Sequence, residues 1–178
     1  MPWDAGRVPA SLDEFIARHR ERGRILVPGC GTGYEVRRLA EAGFDVLAID
    51  FSQAAIEAAQ AHLGEYAARV RLADYFDFAG DDTPFDALYE RAFLCALPRR
   101  MWGQWAARTA QLVRPGGLLF GLFFFDNNSK GPPFGTSQVE LDALLGASFS
   151  LTENLPVNDS VAAFAGRERW QVWQRKVA

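Results

Sequence analysis

The apolar residues of this chain follow two alternating patterns. Short, nearly unbroken apolar runs are typical of strands buried on both faces, whereas apolar residues that recur every three or four positions are typical of amphipathic helices. Five such runs are present: RILVP (24–28), DVLAID (45–50), ARVRLADYF (68–76), FDALYERAFLCAL (85–97) and LLFGLFFF (118–125). Because helical segments lie between them, the pattern predicts a parallel, doubly wound α/β sheet.

Local start and stop signals predict the helices that connect these strands. Ser11 and Ser52 stand where N-cap residues are expected, and Pro98 suits a first helical turn. Gly23 and the Pro-Gly-Gly at 115–117 are expected to end two of the helices. The predicted helices span 11–23, 34–43, 52–64, 98–117 and 138–147.

The C-terminal part departs from this alternation. FSLTENL (149–155) and ERWQVWQRK (168–176) read as two strands without a helix between them, which predicts an antiparallel hairpin at one sheet edge. The predicted architecture is therefore a mostly parallel seven-stranded sheet with an antiparallel final hairpin. The length suits one domain, 1–178, in which residues 1–23 form an N-terminal arm and helix.

Composition narrows the classes of partner. The formal net charge is -3 and no long basic block is present, so neither nucleic acid nor a membrane surface is predicted as a partner. Cys30 and Cys95 lie far apart without a CxxC pair, and His19 and His62 are isolated, so no disulfide framework or metal site is predicted. With no signal peptide and no apolar run long enough to cross a bilayer, we expect a cytoplasmic protein.

A glycine turn and two acids follow the first three predicted strands. Gly29, Gly31 and Gly33 come after the first strand, while Asp50 and Asp74 stand at the ends of the second and third. The carboxyl ends of parallel strands share one sheet edge, where such folds bind ligands, and Asp50 is placed to accept hydrogen bonds from ribose hydroxyls. Asp74 could accept from an exocyclic adenine amine. The alternative is that the glycines only make a tight turn and Asp50 only caps the next helix.

The glycine spacing separates two kinds of nucleotide ligand. A dinucleotide-binding turn has the spacing G-x-G-x-x-G, which places a pyrophosphate on the helix N-terminus. Counted from Gly29, the third glycine of that pattern would fall at Tyr34, whereas the spacing here is G-x-G-x-G. The turn therefore suits adenosine joined to an amino acid better than a dinucleotide.

Several longer segments together resemble a known family. The turn LVPGCGTGYEV, the arm PWDAGRVP, the segment FDALYERAFLCALPRRMW, the loop GPPF and the closing GRERWQVW resemble the Rossmann-like, S-adenosylmethionine-dependent methyltransferases. Among these they are most similar to the thiopurine S-methyltransferase and plant thiol/halide methyltransferase group. The resemblance covers essentially the whole chain. It implies a class I methyltransferase fold and S-adenosyl-L-methionine as cofactor.

The resemblance also implies roles for individual residues around that cofactor. In the related proteins the glycine turn, here Gly29 to Gly33 with Cys30, holds the methionine portion, and the acid at Asp50 holds the ribose. The positions of Asp74 and Tyr75 imply contact with the adenine, and Trp3 is implied to pack on the cofactor from the N-terminal arm.

Two residues are implied to lie toward the methyl acceptor. Arg91, in YERAF, matches an arginine of the thiopurine enzymes near both cofactor and acceptor, and we hypothesise that it attracts an anionic acceptor. The alternative is a plain ion pair with Glu90 or Asp86. Phe134, in GPPF, lies on the acceptor side; some thiol/halide relatives have tyrosine there, a departure that disfavours halide transfer more than thiol transfer.

Two residues, Cys30 of the glycine turn and Phe51 after the second predicted strand, have competing interpretations. Aromatic rings attract a sulfonium cation, which makes Trp3, Tyr34 and Phe51 candidates for its surroundings, although Phe51 could instead be core. Cys30 could be taken for a nucleophile, but between two glycines a small turn residue is the favoured interpretation.

The absence of a catalytic base pattern bears on the acceptor. Methyl transfer from a sulfonium is an in-line displacement, and a thiol acceptor is already partly ionised near neutral pH, so it needs no strong base. The sequence therefore predicts an S-adenosylmethionine-dependent methyltransferase acting on a small soft nucleophile, with a thiol favoured. The alternatives are an O- or N-methyltransferase of another small metabolite, or a non-catalytic S-adenosylmethionine-binding protein.

Overall fold

The computed structural model describes residues 6–80, 83–128 and 130–177, and its centre is one seven-stranded sheet. The strand order is β3-β2-β1-β4-β5-β7-β6, with the first five strands parallel and β7 antiparallel to both of its neighbours. The predicted doubly wound sheet and its final hairpin are confirmed. The strands are β1 (Arg24–Pro28), β2 (Asp45–Asp50), β3 (Val70–Leu72), β4 (Phe85–Arg91), β5 (Val113–Phe124), β6 (Phe149–Pro156) and β7 (Glu168–Arg175).

Within the described residues, five α-helices cover the two faces of the sheet. They are α1 (Ala10–Arg18), α2 (Tyr34–Glu41), α3 (Gln53–Leu63), α4 (Trp102–Leu112) and α5 (Gln138–Leu145). One core cluster joins α1, α2 and α3 to the sheet, and a second joins α4 and α5 to its other face. Side chains alternate along β5 between these clusters, so that Phe120 and Leu122 face the first and Leu119 and Phe123 the second. The apolar run of β5 is unbroken because both of its faces are covered.

The tryptophans of α4 and β7 pack within these clusters. Trp105, Trp170 and Trp173 are almost completely buried, and Trp102 is buried with its indole N–H donating to the Leu97 carbonyl at 3.0 Å. Large aromatic surfaces placed between sheet and helix contribute strongly to the apolar burial that stabilises the fold.

The first helix begins and ends elsewhere than the sequence predicts. Its N-cap is Pro9 rather than Ser11, and it ends at Arg18 rather than continuing to Gly23. The Ala10 N–H instead donates to the Asp159 carboxylate at 2.9 Å. A distant acid thus accepts a free helix N–H, and this long-range contact replaces the predicted local serine cap.

The Pro-Gly-Gly at 115–117 lies inside a strand and does not end a helix, which corrects the prediction for 98–117. Helix α4 ends at Leu112, and β5 starts directly at Val113. The β4–β5 register shifts between Phe85 and Ala87, opposite this segment. A Cβ on Gly117 would lie 2.6 Å from the Asp86 carbonyl oxygen, so the close approach of the two strands excludes larger residues there. An irregularity of this kind tolerates proline within a strand.

Candidate active site

The carboxyl ends of the parallel strands border a cavity of about 670 Å³. Its walls come from the turn after β1, the end of β2, the segment 73–76 after β3 and most of the segment 91–98 after β4. Arg7 of the N-terminal arm, Pro132, Pro133 and Phe164 also line the cavity. The cavity therefore lies where open α/β sheets bind ligands.

The glycine turn forms the floor of this cavity in a backbone conformation that favours glycine. Gly29 and Gly31 have φ values of 65° and 51°, in the left-handed region, and Gly33 directly precedes α2. A Cβ on Gly29 would lie 2.7 Å from Cδ2 of Phe93, whereas a Cβ on Gly31 would meet nothing within 4 Å. The turn thus packs against Phe93 on one side and leaves room for a ligand at Gly31.

Asp50 lies at the end of β2 and lines the cavity. Its Oδ1 accepts from the Ser52 backbone N–H at 2.9 Å, while the Ser52 side chain caps α3 by accepting from the Ala55 N–H at 3.3 Å. The predicted Ser52 cap is confirmed, so the alternative role of Asp50 as the cap of α3 is wrong. Asp50 instead orients the residue that caps the helix, and its half-buried carboxylate remains part of the cavity wall.

Asp74 and Tyr75 both line the cavity but in different ways. Asp74 is exposed, and its Oδ1 accepts from the Phe76 N–H at 2.9 Å. Tyr75 is 4% exposed, and its hydroxyl is hydrogen-bonded to Thr109 of α4 at 2.7 Å. Burial raises the pKa of Tyr75 well above its ordinary value. Because that hydroxyl is bonded in the core, Tyr75 offers a ligand its ring and backbone.

The aromatic candidates differ in exposure. Phe51 is 78% exposed at the cavity, so the interpretation of Phe51 as core is wrong. Tyr34, at the start of α2, lines the cavity and contacts His62 edge-on with ring centroids 4.4 Å apart. Trp3 lies outside the described residues.

Cys30 is a small buried residue of the turn, as the favoured interpretation has it. It is 7% exposed, and burial together with the nearby Asp50 charge raises the pKa of its thiol to about 12. A thiol of this kind remains protonated near neutral pH, and the thiolate is the nucleophilic form. The geometry therefore does not support Cys30 as a nucleophile.

Arg91 forms an ion pair with a residue that local sequence reasoning did not consider. Its Nε lies 3.3 Å from Oε1 of Glu35 in the first turn of α2, and both side chains are mostly buried. The alternatives Glu90 and Asp86 are wrong as partners: the Glu90 carboxylate accepts backbone N–H groups, and Asp86 pairs with Arg114 at 2.6 Å. Contact between the segment after β4 and the start of α2 decides this pairing.

Neighbouring groups offset the burial of the Arg91 charge. Burial alone would lower its pKa, but Tyr89, Glu35 and Glu168 together raise the pKa of Arg91 above its ordinary value. Arg91 is therefore a permanent cation that is paired with a carboxylate beside the cavity.

Phe134 lies behind the cavity wall. Its backbone N–H donates to the Cys95 carbonyl at 2.7 Å, and its ring packs on the second core cluster beside a small void shared with Glu90 and Leu94. Pro132 and Pro133 of the same GPPF loop line the main cavity instead. The loop thus reaches the site as predicted from the resemblance, but the geometry does not support direct contact between Phe134 and an acceptor.

Sequence reasoning missed other residues that shape the site. Arg7 lines the cavity and makes a bidentate contact with Asp159, Nη1 to Oδ2 at 2.7 Å and Nη2 to the carbonyl at 2.6 Å. This contact holds the arm against the β6–β7 connection, from which Phe164 also reaches the cavity. Glu90 and Phe93 are two further residues that sequence reasoning did not select. A charged residue within an apolar strand run was the available signal for Glu90.

The described ranges contain no group of three His, Cys, Asp or Glu side chains that could hold a metal ion. No helix in them has the length and apolar character needed to cross a membrane.

Comparison with known proteins identifies the family to which this chain belongs. The family model for thiopurine S-methyltransferase matches residues 1–176. The chain belongs to the thiopurine S-methyltransferase family. Its sequence is 33% identical over 153 residues to a probable thiol methyltransferase 2 of Arabidopsis thaliana, covering 81% of this chain and 66% of the relative. It is 32% identical over 176 residues to a thiopurine S-methyltransferase of Pseudomonas fluorescens strain SBW25, covering 84% and 81%.

Solved structures of methyltransferases share the fold at lower identity. The N-methyltransferase NodS of Bradyrhizobium japonicum WM9, in complex with S-adenosyl-L-homocysteine, has a TM-score of 0.77 at 15% identity, covering 93% of this chain and 84% of that one. A Burkholderia thailandensis 1,6-didemethyltoxoflavin-N1-methyltransferase with bound S-adenosylhomocysteine has a TM-score of 0.72 at 20% identity, covering 94% and 76%. These structures show that the chain has the Rossmann-like fold. Its membership in the thiopurine S-methyltransferase family makes it a methyltransferase whose cofactor is S-adenosyl-L-methionine.

The residues of this thiopurine S-methyltransferase family member fit that cofactor. Open space above Gly31 allows close approach of a ligand to the backbone, and the Asp50 carboxylate stands at the cavity wall where ribose hydroxyls can donate to it. The flat apolar surfaces of Phe51 and Phe93 also line the cavity and suit a purine ring or a sulfonium.

Proposed function

We propose that this protein is an S-methyltransferase that transfers a methyl group from S-adenosyl-L-methionine to a small thiol. The observation that carries the proposal is the character of the cavity lining. Its described residues include no histidine, and Cys30, Cys95, Tyr75 and Tyr89 have raised pKa values that keep them protonated at neutral pH. The carboxylates of the lining already have partners: Asp50 accepts from the Ser52 N–H, Asp74 accepts from the Phe76 N–H, and Glu35 pairs with Arg91. An alcohol acceptor usually needs a general base or a metal, whereas a thiol ionises in water by itself. The names of the Arabidopsis and Pseudomonas relatives support the same class of acceptor.

In this proposal the protein acts through proximity, alignment and exclusion of water. When bound, S-adenosyl-L-methionine supplies a methyl group activated by a positively charged sulfur. The chain places an acceptor against that methyl group, and correct alignment of this kind can contribute roughly 7–11 kcal/mol to lowering the barrier. The acceptor thiol loses its proton to solvent before reaction, so no residue of the chain has to remove it.

We assign the cofactor contacts within this proposal as follows. The turn from Gly29 to Gly33 would hold the methionine portion, Asp50 the ribose, and Asp74 with the backbone and ring of Tyr75 the adenine. The Phe51 ring is exposed at the cavity, and covering an apolar ring with a ligand removes that surface from water, which is favourable. This supports our placing Phe51 beside the cofactor. The same role for Trp3 remains a prediction.

The acceptor end is assigned to the part of the cavity formed by Arg7, Arg91, Pro132, Pro133 and Phe164. The proline and phenylalanine surfaces suit an apolar thiol. Arg91 would favour an acceptor with a negative group, although its pairing with Glu35 reduces that preference below that of a free arginine.

The wider setting is part of the same proposal. We expect one catalytic domain across 1–178, acting in the cytoplasm on a small molecule, without a nucleic acid or membrane partner. The formal net charge of -3 supports this exclusion of polyanionic partners.

A panel of acceptors tests the proposal. Purified protein is incubated with S-adenosylmethionine labelled in the methyl group and with matched thiols, phenols and amines of similar size. We expect label transfer to thiols only. Transfer to a phenol or an amine without any to thiols would contradict S-methylation, and cofactor binding without transfer to any acceptor would indicate a non-catalytic binding protein.

A melting experiment tests the cofactor contacts separately. S-adenosylmethionine and S-adenosylhomocysteine should each raise the melting temperature, since a ligand that prefers the native state stabilises it, whereas NAD should not. Stabilisation by NAD alone at equal concentration would contradict the assignment of the glycine turn.

A further inference from the structure

Glu90 is a buried carboxyl near the end of β4 with no part in the chemistry described above. It is 1% exposed and lies among Leu94, Trp102 and Phe123 on the sheet face covered by α4 and α5. Its backbone is held closely as well, because a Cβ on Gly121 of β5 would lie 1.9 Å from the Glu90 carbonyl oxygen. A charged residue type in such surroundings is rarely found without a specific partner.

The partner of Glu90 is the backbone of the turn that follows β4. Its Oε1 accepts from the Phe93 N–H at 2.8 Å and from the Leu94 N–H at 3.0 Å. Within the same turn Ala92 has a φ of 56°, in the left-handed region that residues with a Cβ rarely adopt. A backbone in that conformation persists only when surrounding contacts hold it. Both hydrogen bonds join Glu90, two residues before Ala92, to the residues that directly follow Ala92.

This turn contacts two of the segments assigned to the cofactor, the glycine turn and Tyr75. The Phe93 ring packs on Gly29 closely enough to exclude a Cβ there, and it meets the Tyr75 ring edge-on with centroids 5.1 Å apart. Arg91, at the start of the turn, pairs with Glu35 on α2. Because 91–93 also line the cavity, a displacement of this turn would move the wall between the cofactor and the acceptor.

The second carboxylate oxygen of Glu90 distinguishes it from a simple structural brace. Oε2 is buried and has no hydrogen-bond partner in the described part of the chain. Burial raises the pKa of Glu90 to about 7, against the two backbone N–H groups that favour its charged form. The ionisable groups facing it, the Cys95 thiol and the Tyr75 phenol, both have raised pKa values and keep their protons near neutral pH.

We propose that Glu90 is a positioning residue for methyl transfer: its carboxylate fixes the turn 91–94 and so sets the wall that Arg91 and Phe93 form between cofactor and acceptor. The inference rests on the function proposed above. The ionised carboxylate makes charge-assisted hydrogen bonds to the two N–H groups, which are stronger than those of the protonated form. The turn is therefore held most firmly when Glu90 is charged.

Three variants separate positioning from a merely structural role. Glu90→Leu removes the acceptor, Glu90→Gln keeps an oxygen for the two N–H groups but cannot ionise, and Asp86→Asn is a control. Asp86 stands at the other end of β4, also accepts a backbone N–H, from Arg24 at 2.7 Å, and does not line the cavity. We expect Glu90→Leu to lower kcat/KM for a thiol about tenfold to hundredfold, as displacement of positioned groups does, while Asp86→Asn stays within about twofold.

The pH dependence supplies a readout that loss of packing would not imitate. With a thiol acidic enough to be ionised throughout the range, wild-type kcat/KM should rise around pH 7, and Glu90→Gln should give a flat profile at the lower level. The amide proton resonances of Phe93 and Leu94 should titrate in the wild type with a midpoint of about 7 and not in Glu90→Gln.

The outcomes that would overturn the inference are distinct from failure of the proposed function. Wild-type activity retained in Glu90→Leu, or Phe93 and Leu94 resonances that do not titrate around pH 7 in the wild type, would refute the role of Glu90. If the wild type methylates no thiol, the proposed function fails. The amide titration and the affinity of Glu90→Leu for S-adenosylhomocysteine would then still decide whether Glu90 holds the wall, with unchanged affinity counting against it.

Discussion

Replacing Glu90 by glutamine should change the pH dependence of stability by an amount that the structure allows us to work out. Burial raises the pKa of Glu90 from an ordinary 4.5 to about 7 in the folded protein. Between these values the unfolded chain is ionised at this position while the folded chain keeps its proton. A group with a raised folded pKa contributes stability that is fully present below the unfolded pKa and is lost as pH rises through the folded pKa.

The size of the effect follows from the interval between the two pKa values. From 4.5 to about 7, at about 1.4 kcal/mol for each pH unit, the wild type should lose about 3 kcal/mol of unfolding free energy through Glu90. Glu90→Gln cannot ionise and loses none of this. The unfolding free energy of the variant minus that of the wild type should therefore increase between pH 4.5 and about 7 and stay constant above that pH.

Urea denaturation of both proteins at a series of pH values from about 4.5 to 8.5 measures this difference. Titrations elsewhere in the chain are common to both proteins and cancel when one curve is subtracted from the other. Asp86→Asn is again the control. Burial by itself would raise the pKa of Asp86, but Arg114 and the Arg24 N–H lower that pKa below its ordinary 3.8. Stability from a group with a lowered pKa is lost only as pH falls through that pKa, so this control difference should be flat across the range.

A flat difference between Glu90→Gln and the wild type would refute the reasoning, because it would mean that Glu90 ionises equally in the folded and unfolded states. A rising difference together with reduced activity of the variant would show that the buried charge is kept at the expense of stability. Such a trade is common at functional sites.

Four further predictions concern the cofactor and acceptor. Asp50→Ala should weaken S-adenosylhomocysteine binding in calorimetry at least about tenfold, since two charge-assisted hydrogen bonds to ribose would be lost, with Ser52→Ala as control; unchanged affinity would leave Asp50 only its contact with Ser52. Cys30 and Cys95 should resist iodoacetamide at pH 8 in the native protein because burial raises both pKa values to about 12, and labelling as fast as that of a free thiol would contradict this. The methylation rate should rise with pH until the acceptor thiol is ionised, with more acidic thiols reaching the plateau earlier; one profile common to all thiols would indicate a base on the enzyme. Arg91→Ala should reduce kcat/KM for a carboxylate-bearing thiol more than for its uncharged analogue, and equal losses would reduce Arg91 to its structural pairing with Glu35.

The helices and strands whose signals lie within a few neighbouring residues were predicted well. Ser52 caps α3 because its hydroxyl reaches the Ala55 N–H three residues on, which is a purely local contact. The run ending in β5 is apolar throughout because both sheet faces are covered, and that pattern is visible without any partner strand. The boundaries of α1 and α4 were wrong because their ends depend on Asp159 and on the approach of β4, both distant in sequence.

The difference between local and long-range contacts also explains which features of the site could be predicted. The sequence by itself determined the class of fold and placed 29–33, 50–51 and 74–75 at one edge of the sheet, since strand ends and glycine spacing are local features. Residues of all three segments line the cavity, and their contacts with the cofactor are part of our proposal. Only the tertiary structure decided that Arg91 pairs with Glu35, that the Phe134 ring lies behind the cavity wall, and that Glu90 holds the turn after β4. Those outcomes depend on which side chains meet across the sheet and on how much water burial removes. Neither the spacing of residues nor their type along the chain contains that information.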